Sequence, residues 1–286
     1  MRTVFLVIAA LLPAVILCLY IYKKDRVEKE PARLLFTLLI GGVACCYPAA
    51  VIEGVFLDII EKGVMGFYLS NGADINPKII YTAHKLLENF IGIALVEEGL
   101  KLLVLLWFTK NNSEFNSVFD GIVYAVFVSL GFAAFENILY VLQYGFSNAM
   151  MRAVTSVPGH MFFAVMMGYY YSFAHIAGKV SNIELELKIN GVIPKTVRSY
   201  LQSTFIGLAL FAPVFAHGMY DYCCTYETRL AVLVFYAFLI GMYVYCFGKI
   251  KKMSAGDAPV RNYVYMQLLR KYPELSEHLQ SEEFNL

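Results

Sequence analysis

The sequence predicts an all-α fold: a polytopic membrane helix bundle of about seven transmembrane helices, N-terminus outside and C-terminus cytoplasmic. Three observations predict it. Hydrophobic residues make up 59% of the 286 and charged residues only 16%, against roughly 45–50% and 25% in soluble domains. Mean hydropathy is +0.60. Apolar windows of about 20 residues, the length that crosses a bilayer as a helix, recur seven times: about 3–22, 34–58, 87–109, 118–143, 154–177, 201–224 and 230–249.

The first window, "VFLVIAALLPAVILCLYIY", exceeds an ordinary signal h-region and lacks a small-x-small cleavage site before "KKDR", so it reads as a membrane helix. A second span follows after a short basic loop. A longer loop is expected at about 59–86, and a polar one at about 178–200. Beyond about 250 comes a tail containing "RNYVYMQLLRKYPELSEHL", expected as a short amphipathic surface helix. The division is therefore a membrane domain over 1–249, with its motif-bearing core at 85–225, and a short cytoplasmic tail at 250–286. The six cysteines (Cys18, Cys45, Cys46, Cys223, Cys224, Cys246) show neither disulfide-framework nor zinc spacing.

Lys/Arg bias sets the orientation. One side carries Lys23, Lys24, Arg26, Lys29 and Arg33; Lys110; Lys179, Lys188, Lys195 and Arg198; and Lys249, Lys251, Lys252, Arg261, Arg270 and Lys271. That makes sixteen, against six on the other side: Arg2, Lys62, Lys78, Lys85, Arg152 and Arg229. The first side is expected in the cytoplasm and the protein in the plasma membrane. Basic residues dispersed over short loops at net charge +1 point to the bilayer as partner and not to nucleic acid.

Polar groups inside spans cost free energy and usually mark a functional interior; a charge at the bilayer centre costs roughly 2.5–3.5 kcal/mol on the mildest scale. They are Glu97, Glu98 and Lys101 in span three, Glu136 and Asn137 in span four, His160 in span five, and His217 and Asp221 in span six. At 1.5 Å per residue, Glu97 falls roughly 15 Å below the outer boundary, and Glu136, His160 and His217 roughly 10 Å. Asp221 lies at about 5 Å. A shared layer in the outer half suggests one site reached by water from outside. His217 and Asp221 are four apart, as are Glu97 and Lys101, so each pair shares a helix face. Glu98 points about 100° away from Glu97. One glutamate is expected to enter the site while the other pairs with Lys101, and the spacing allows either. Asn137 reads as interhelical glue, Glu53 as a structural or interfacial carboxylate, and His84 and His175 as incidental.

The ordered stretches "EEGLK" (97–101), "FAAFEN" (132–137, opening on Phe132), "PGHMFFAVMMG" and "HGMYD" (217–221) resemble the EExxK, FxxxEN, H and HxxxD motifs of the PrsW family of intramembrane proteases. The resemblance covers about residues 85 to 225. It implies a glutamate-dependent peptide-bond hydrolase, distantly related to the CAAX-prenyl endoproteases. It also implies site-1 cleavage of a single-pass membrane protein, such as an anti-sigma factor, near its extracytoplasmic side. Glu136 and Asp221 stand where the CAAX-prenyl endoproteases have histidine and asparagine.

On this reading Glu97 or Glu98 activates water, and a buried carboxyl group can serve as base and then acid. His217, with His160, stabilises the oxyanion or shuttles the proton. Asp221 orients His217, Glu136 holds the water or a second residue, and Lys101 keeps the other glutamate ionised. No cofactor is expected. A zinc variant uses His160, His217 and one of Glu136 or Asp221 as ligands, with Glu97 as base. The alternative from another class is a proton- or ion-coupled transporter built on the same carboxylates.

Overall fold

The computed structural model describes residues 2–71, 75–194, 196, 200–226 and 228–276. Lys195 and Arg198, counted above for orientation, and tail residues 277–286 lie outside the described residues. The chain folds into helices α1 (Arg2–Lys24), α2 (Ala32–Asn71), α3 (Pro77–Leu87), α4 (Leu95–Thr109), α5 (Asp120–Tyr144), α6 (Phe146–Val154), α7 (Ser156–Ile189), α8 (Leu201–Cys224), α9 (Arg229–Ala255) and α10 (Val260–Lys271). Among the described residues no strand forms; one isolated bridge pairs Ser117 with Pro259. All six cysteines are free thiols.

Among the described residues, five helices (α1, α2, α5, α8 and α9) are long and apolar enough to cross a membrane. The expected spans at about 87–109 and 154–177 also fall on helix, but differently. The first is divided by a π-helical segment, Glu88–Ala94, which leaves α4 only 15 residues. The second lies mostly in α7, which is buried along much of its length and is the more polar for it. A helix walled by other helices can carry polar groups that lipid would exclude.

Two expected loops are largely helical. α2 runs to Asn71, so most of the 59–86 segment is helix, with α3 after it. Asp58 and Lys62 end the apolar run, yet as an exposed pair four residues apart they suit a helix that outlasts its apolar stretch. Asn76 caps α3, accepting from the Lys78 N–H at 2.9 Å, with Pro77 at the first position. Likewise α7 extends to Ile189 into the segment expected as a polar loop. The described part of the tail is docked: Val260, Val264, Leu268 and Leu275 pack with Ile176, Val180 and Leu187 of α7.

α5 is the axis of the bundle, packed against α1, α2 and α7. Glycines set two of those approaches. A Cβ on Gly42 would lie 1.9 Å from the Val128 carbonyl oxygen, and one on Gly131 2.1 Å from that of Leu39. At the α5–α7 crossing, a Cβ on Gly168 would lie 2.3 Å from the Gly121 carbonyl oxygen. Small residues let membrane helices pack backbone to backbone, where dispersion and polar contacts replace the hydrophobic effect. The lipid-facing side carries large apolar groups such as Phe36, Tyr47, Trp107 and Phe211. On a soluble monomer so extended an apolar surface would be an aggregation hazard.

Candidate active site

The polar residues of α4, α5, α7 and α8 meet around one ammonium group. Lys101 is 1% exposed, and Glu97 and Glu98 are 6% and 0%. The Lys101 Nζ donates to Glu97 Oε2 at 2.9 Å and to Glu98 Oε1 at 2.8 Å. It also lies 3.2 Å from His160 Nδ1 and 4.1 Å from the Phe132 ring centre. The expectation that only one glutamate pairs with the lysine is thus corrected: a single point charge, held between two turns of one helix, reaches both.

The hydrogen-bond directions assign the histidines. An ammonium can only donate, so His160 Nδ1 accepts and the ring proton sits on Nε2. That Nε2–H then donates to Glu136 Oε2 at 3.0 Å. His217 places Nδ1 3.0 Å from Glu98 Oε1 and Nε2 3.3 Å from Asp221 Oδ2. Facing a carboxylate on each side, both ring nitrogens donate, which describes an imidazolium. The His217 ring stacks on Phe163 with centroids 4.8 Å apart.

The two glutamates differ in what remains free. Glu98 is enclosed: Oε1 serves both Lys101 and His217, while Oε2 is buried without a partner. Glu97 lines a cavity of about 700 Å³ together with Glu136, His160, His217, Asp221, Phe132, Asn89, Tyr220, Arg152 and Glu53. A cavity this size suits an extended peptide segment or a small ligand.

Three of these lining residues were not singled out from the sequence. Arg152 of α6, counted there as a loop charge, donates to Glu136 Oε2 at 2.8 Å and to Asn137 Oδ1 at 2.9 Å. Asn137 in turn donates to the Ala10 carbonyl at 2.8 Å, joining α5 to α1 as expected of interhelical glue. Asn89, in the π-helical segment, bonds Thr225 beyond α8. The third is Tyr220, on α8 between His217 and Asp221. Glu53, read as structural, opens onto the same cavity. The π-helical turn itself, with Leu95 N–H bonded to the Phe90 carbonyl, directly precedes the glutamates, and such turns recur at functional sites. Gly218 makes room for the ring of Phe90: a Cβ there would lie 2.6 Å from Phe90 Cδ1. His84 and His175 stand apart from this cavity.

A metal can be tested against this arrangement. Among the described residues, Glu97, Glu98 and His160 form the set of three ligating groups whose donor atoms lie within 4.8 Å of one another. The Lys101 ammonium already sits against all three. Zinc needs donors at about 2.0–2.2 Å, so ion and ammonium cannot share the position. The set anticipated from sequence, His160 and His217 with Glu136 or Asp221, is not gathered within that distance. As arranged, these residues do not fit a metal ion.

The stretch that matches known proteins contains all of these residues. Residues 30–247 match the family described as PrsW family intramembrane metalloprotease. The chain is 32% identical over 224 residues to Protease PrsW of Geobacillus kaustophilus, covering 78% of this chain and 81% of that one. It is 28% identical over 252 residues to Protease PrsW of Clostridioides difficile (86% and 90% covered). To that of Bacillus subtilis it is 27% identical over 247 residues (86% and 94%). No solved structure matches the chain.

Proposed function

The chain belongs to the PrsW family of intramembrane proteases, and from that premise we propose a glutamate-dependent hydrolysis with Glu97 as the water-activating base. The observation that carries the assignment is the difference between neighbours. Glu97 reaches the cavity and has Oε1 free of protein partners among the described residues, whereas Glu98 is walled in. Glu97 takes a proton from water, and the oxygen so activated attacks the substrate carbonyl. The resulting oxyanion is stabilised by the positive charge of the His217 ring, which Glu98 at 3.0 Å and Asp221 at 3.3 Å hold in place. Glu97 then returns its proton to the leaving amine, so protons balance over the cycle. Lys101 supplies a fixed positive charge behind the base. Glu136, His160 and Arg152 hold the far wall.

The substrate we propose is a single-pass membrane protein cut near its extracytoplasmic side, of the anti-sigma factor kind, in the plasma membrane. The Lys/Arg bias supports this orientation. Co-expression with candidate single-span proteins tests the reading through a trimmed product. Wild type is expected to yield it, Glu97→Gln to abolish it and His217→Ala to reduce it at least about a hundredfold. Undiminished trimming by Glu97→Gln refutes the assignment. A reporter enzyme fused to the C-terminus and active only outside the cell would overturn the orientation.

A further inference from the structure

Five carboxylates line or back the cavity, and four of them have a basic partner within 3.3 Å: Glu97 and Glu98 with Lys101, Glu136 with Arg152, Asp221 with His217. Glu53 differs. It projects from the middle of α2 into the cavity, and its Oε1 is buried without a hydrogen-bond partner. Among the described residues no cation lies in ion-pair contact with it. A buried carboxylate without a counter-charge costs several kcal/mol, a cost that either a proton or an arriving cation removes.

The surroundings say from where. Tyr47, on the same helix, and Leu139, across from it on α5, both line the cavity while facing outward, at 78% and 52% exposed. A Cβ on Gly54, next to Glu53, would meet nothing within 4 Å. The cavity thus opens laterally between α2 and α5 toward lipid, and a membrane-anchored chain entering there passes Glu53 before it reaches Glu97.

We propose that Glu53 is a specificity-determining residue that receives a lysine or arginine side chain of the substrate, drawn in through the α2–α5 opening. The inference rests on the proteolytic reading, and deepens it by naming the substrate class: membrane-anchored segments with a basic residue near the scissile bond. The cation completes the pairing that the other carboxylates already have, and it fixes which peptide bond stands over Glu97.

Binding tests this separately from cleavage. Purified Glu97→Gln protein in lipid nanodiscs is titrated with fluorescent single-span peptides in which one lysine is walked through the outer end of the span. Each is compared with its glutamine counterpart. At one position the lysine peptide is expected to bind about tenfold or more tightly, the size of a partly desolvated charge pair. Adding Glu53→Gln should bring that ratio to one, and Glu53→Lys should turn it toward a glutamate peptide. No lysine preference at any position, or a preference that survives Glu53→Gln, overturns the proposal. If the preference holds while wild type cleaves none of these peptides, the hydrolytic reading fails and the recognition stands.

Discussion

Lys101 is the residue on which the polar cluster turns. Its ammonium joins the two glutamates of its own helix to His160 of α7. Removing one partner of a buried ion pair typically costs about 3–5 kcal/mol, because the other charge stays unpaired in the interior. Lys101→Met should therefore lower the melting temperature in detergent sharply, while Glu97→Gln, whose oxygen faces the cavity, should cost less stability and more activity. Lys101→Arg is expected not to restore function, since a planar fork cannot replace a point charge aimed at three acceptors. The same geometry predicts that chelator-treated, metal-depleted protein keeps its cleavage rate; loss of activity restored by zinc would show that Lys101 withdraws to admit an ion. Sequence made these residues legible individually, because charges in apolar windows stand out. Arg152 reads from sequence as a loop charge and Glu53 as a structural or interfacial carboxylate, for the opposite reason. Each lies near a span end or among ordinary neighbours, and only packing reveals that it faces inward.

The elements place the cluster through close helix crossings. Gly42 and Gly131 bring α2 onto α5, and Gly121 and Gly168 bring α5 onto α7. Gly131→Val would drive side-chain atoms into the Leu39 carbonyl, and overpacking of this kind costs about 1–3 kcal/mol or more when backbone must move. It should separate α2 from α5, reduce cleavage and lower the melting temperature, whereas Gly54→Ala, which meets open space, should leave stability within about 0.5 kcal/mol. Helix lengths were less legible than helix positions. The apolar sequence ends near Asp58 while α2 runs on to Asn71, because helix propensity does not stop where lipid does. The π-helical turn at Glu88–Ala94 left no signal in the apolar pattern, since one wider turn barely shifts the periodicity.

At the scale of the whole molecule, a second group of acids ties the ends of the bundle together, away from the cavity. Glu30, between α1 and α2, accepts from the Tyr124 hydroxyl of α5 and is 3% exposed. Asp257, between α9 and α10, accepts from the Phe119 N–H at 2.9 Å and the Ser117 hydroxyl at 3.0 Å. Burial, reinforced by the Asp120 and Asp25 carboxylates, pushes Glu30 up to about 8. Burial likewise raises Asp25 and Asp257. An unfolded glutamate titrates near about 4.3, so the folded chain holds the Glu30 proton more tightly. That contribution to stability is fully present below the unfolded value and is lost as pH rises through about 8. The melting temperature of wild type should fall between pH 6 and pH 9, and that of Glu30→Gln should fall less; parallel slopes would count against a shared proton in this clasp.

What the sequence determined by itself was the solvent, the helical class and the short list of polar residues that membrane insertion makes costly. Each follows from local chemistry: apolar runs of spanning length, and charges that cannot be left in hydrocarbon. Which glutamate reaches the cavity was a matter for tertiary structure. Glu97 and Glu98 are adjacent and chemically identical, and they differ only in what α7 and α8 lay against them. The same holds for Glu53, whose unpaired oxygen takes on meaning only from a cavity built by residues distant in the chain. Local composition decides what a residue costs; packing decides what it faces.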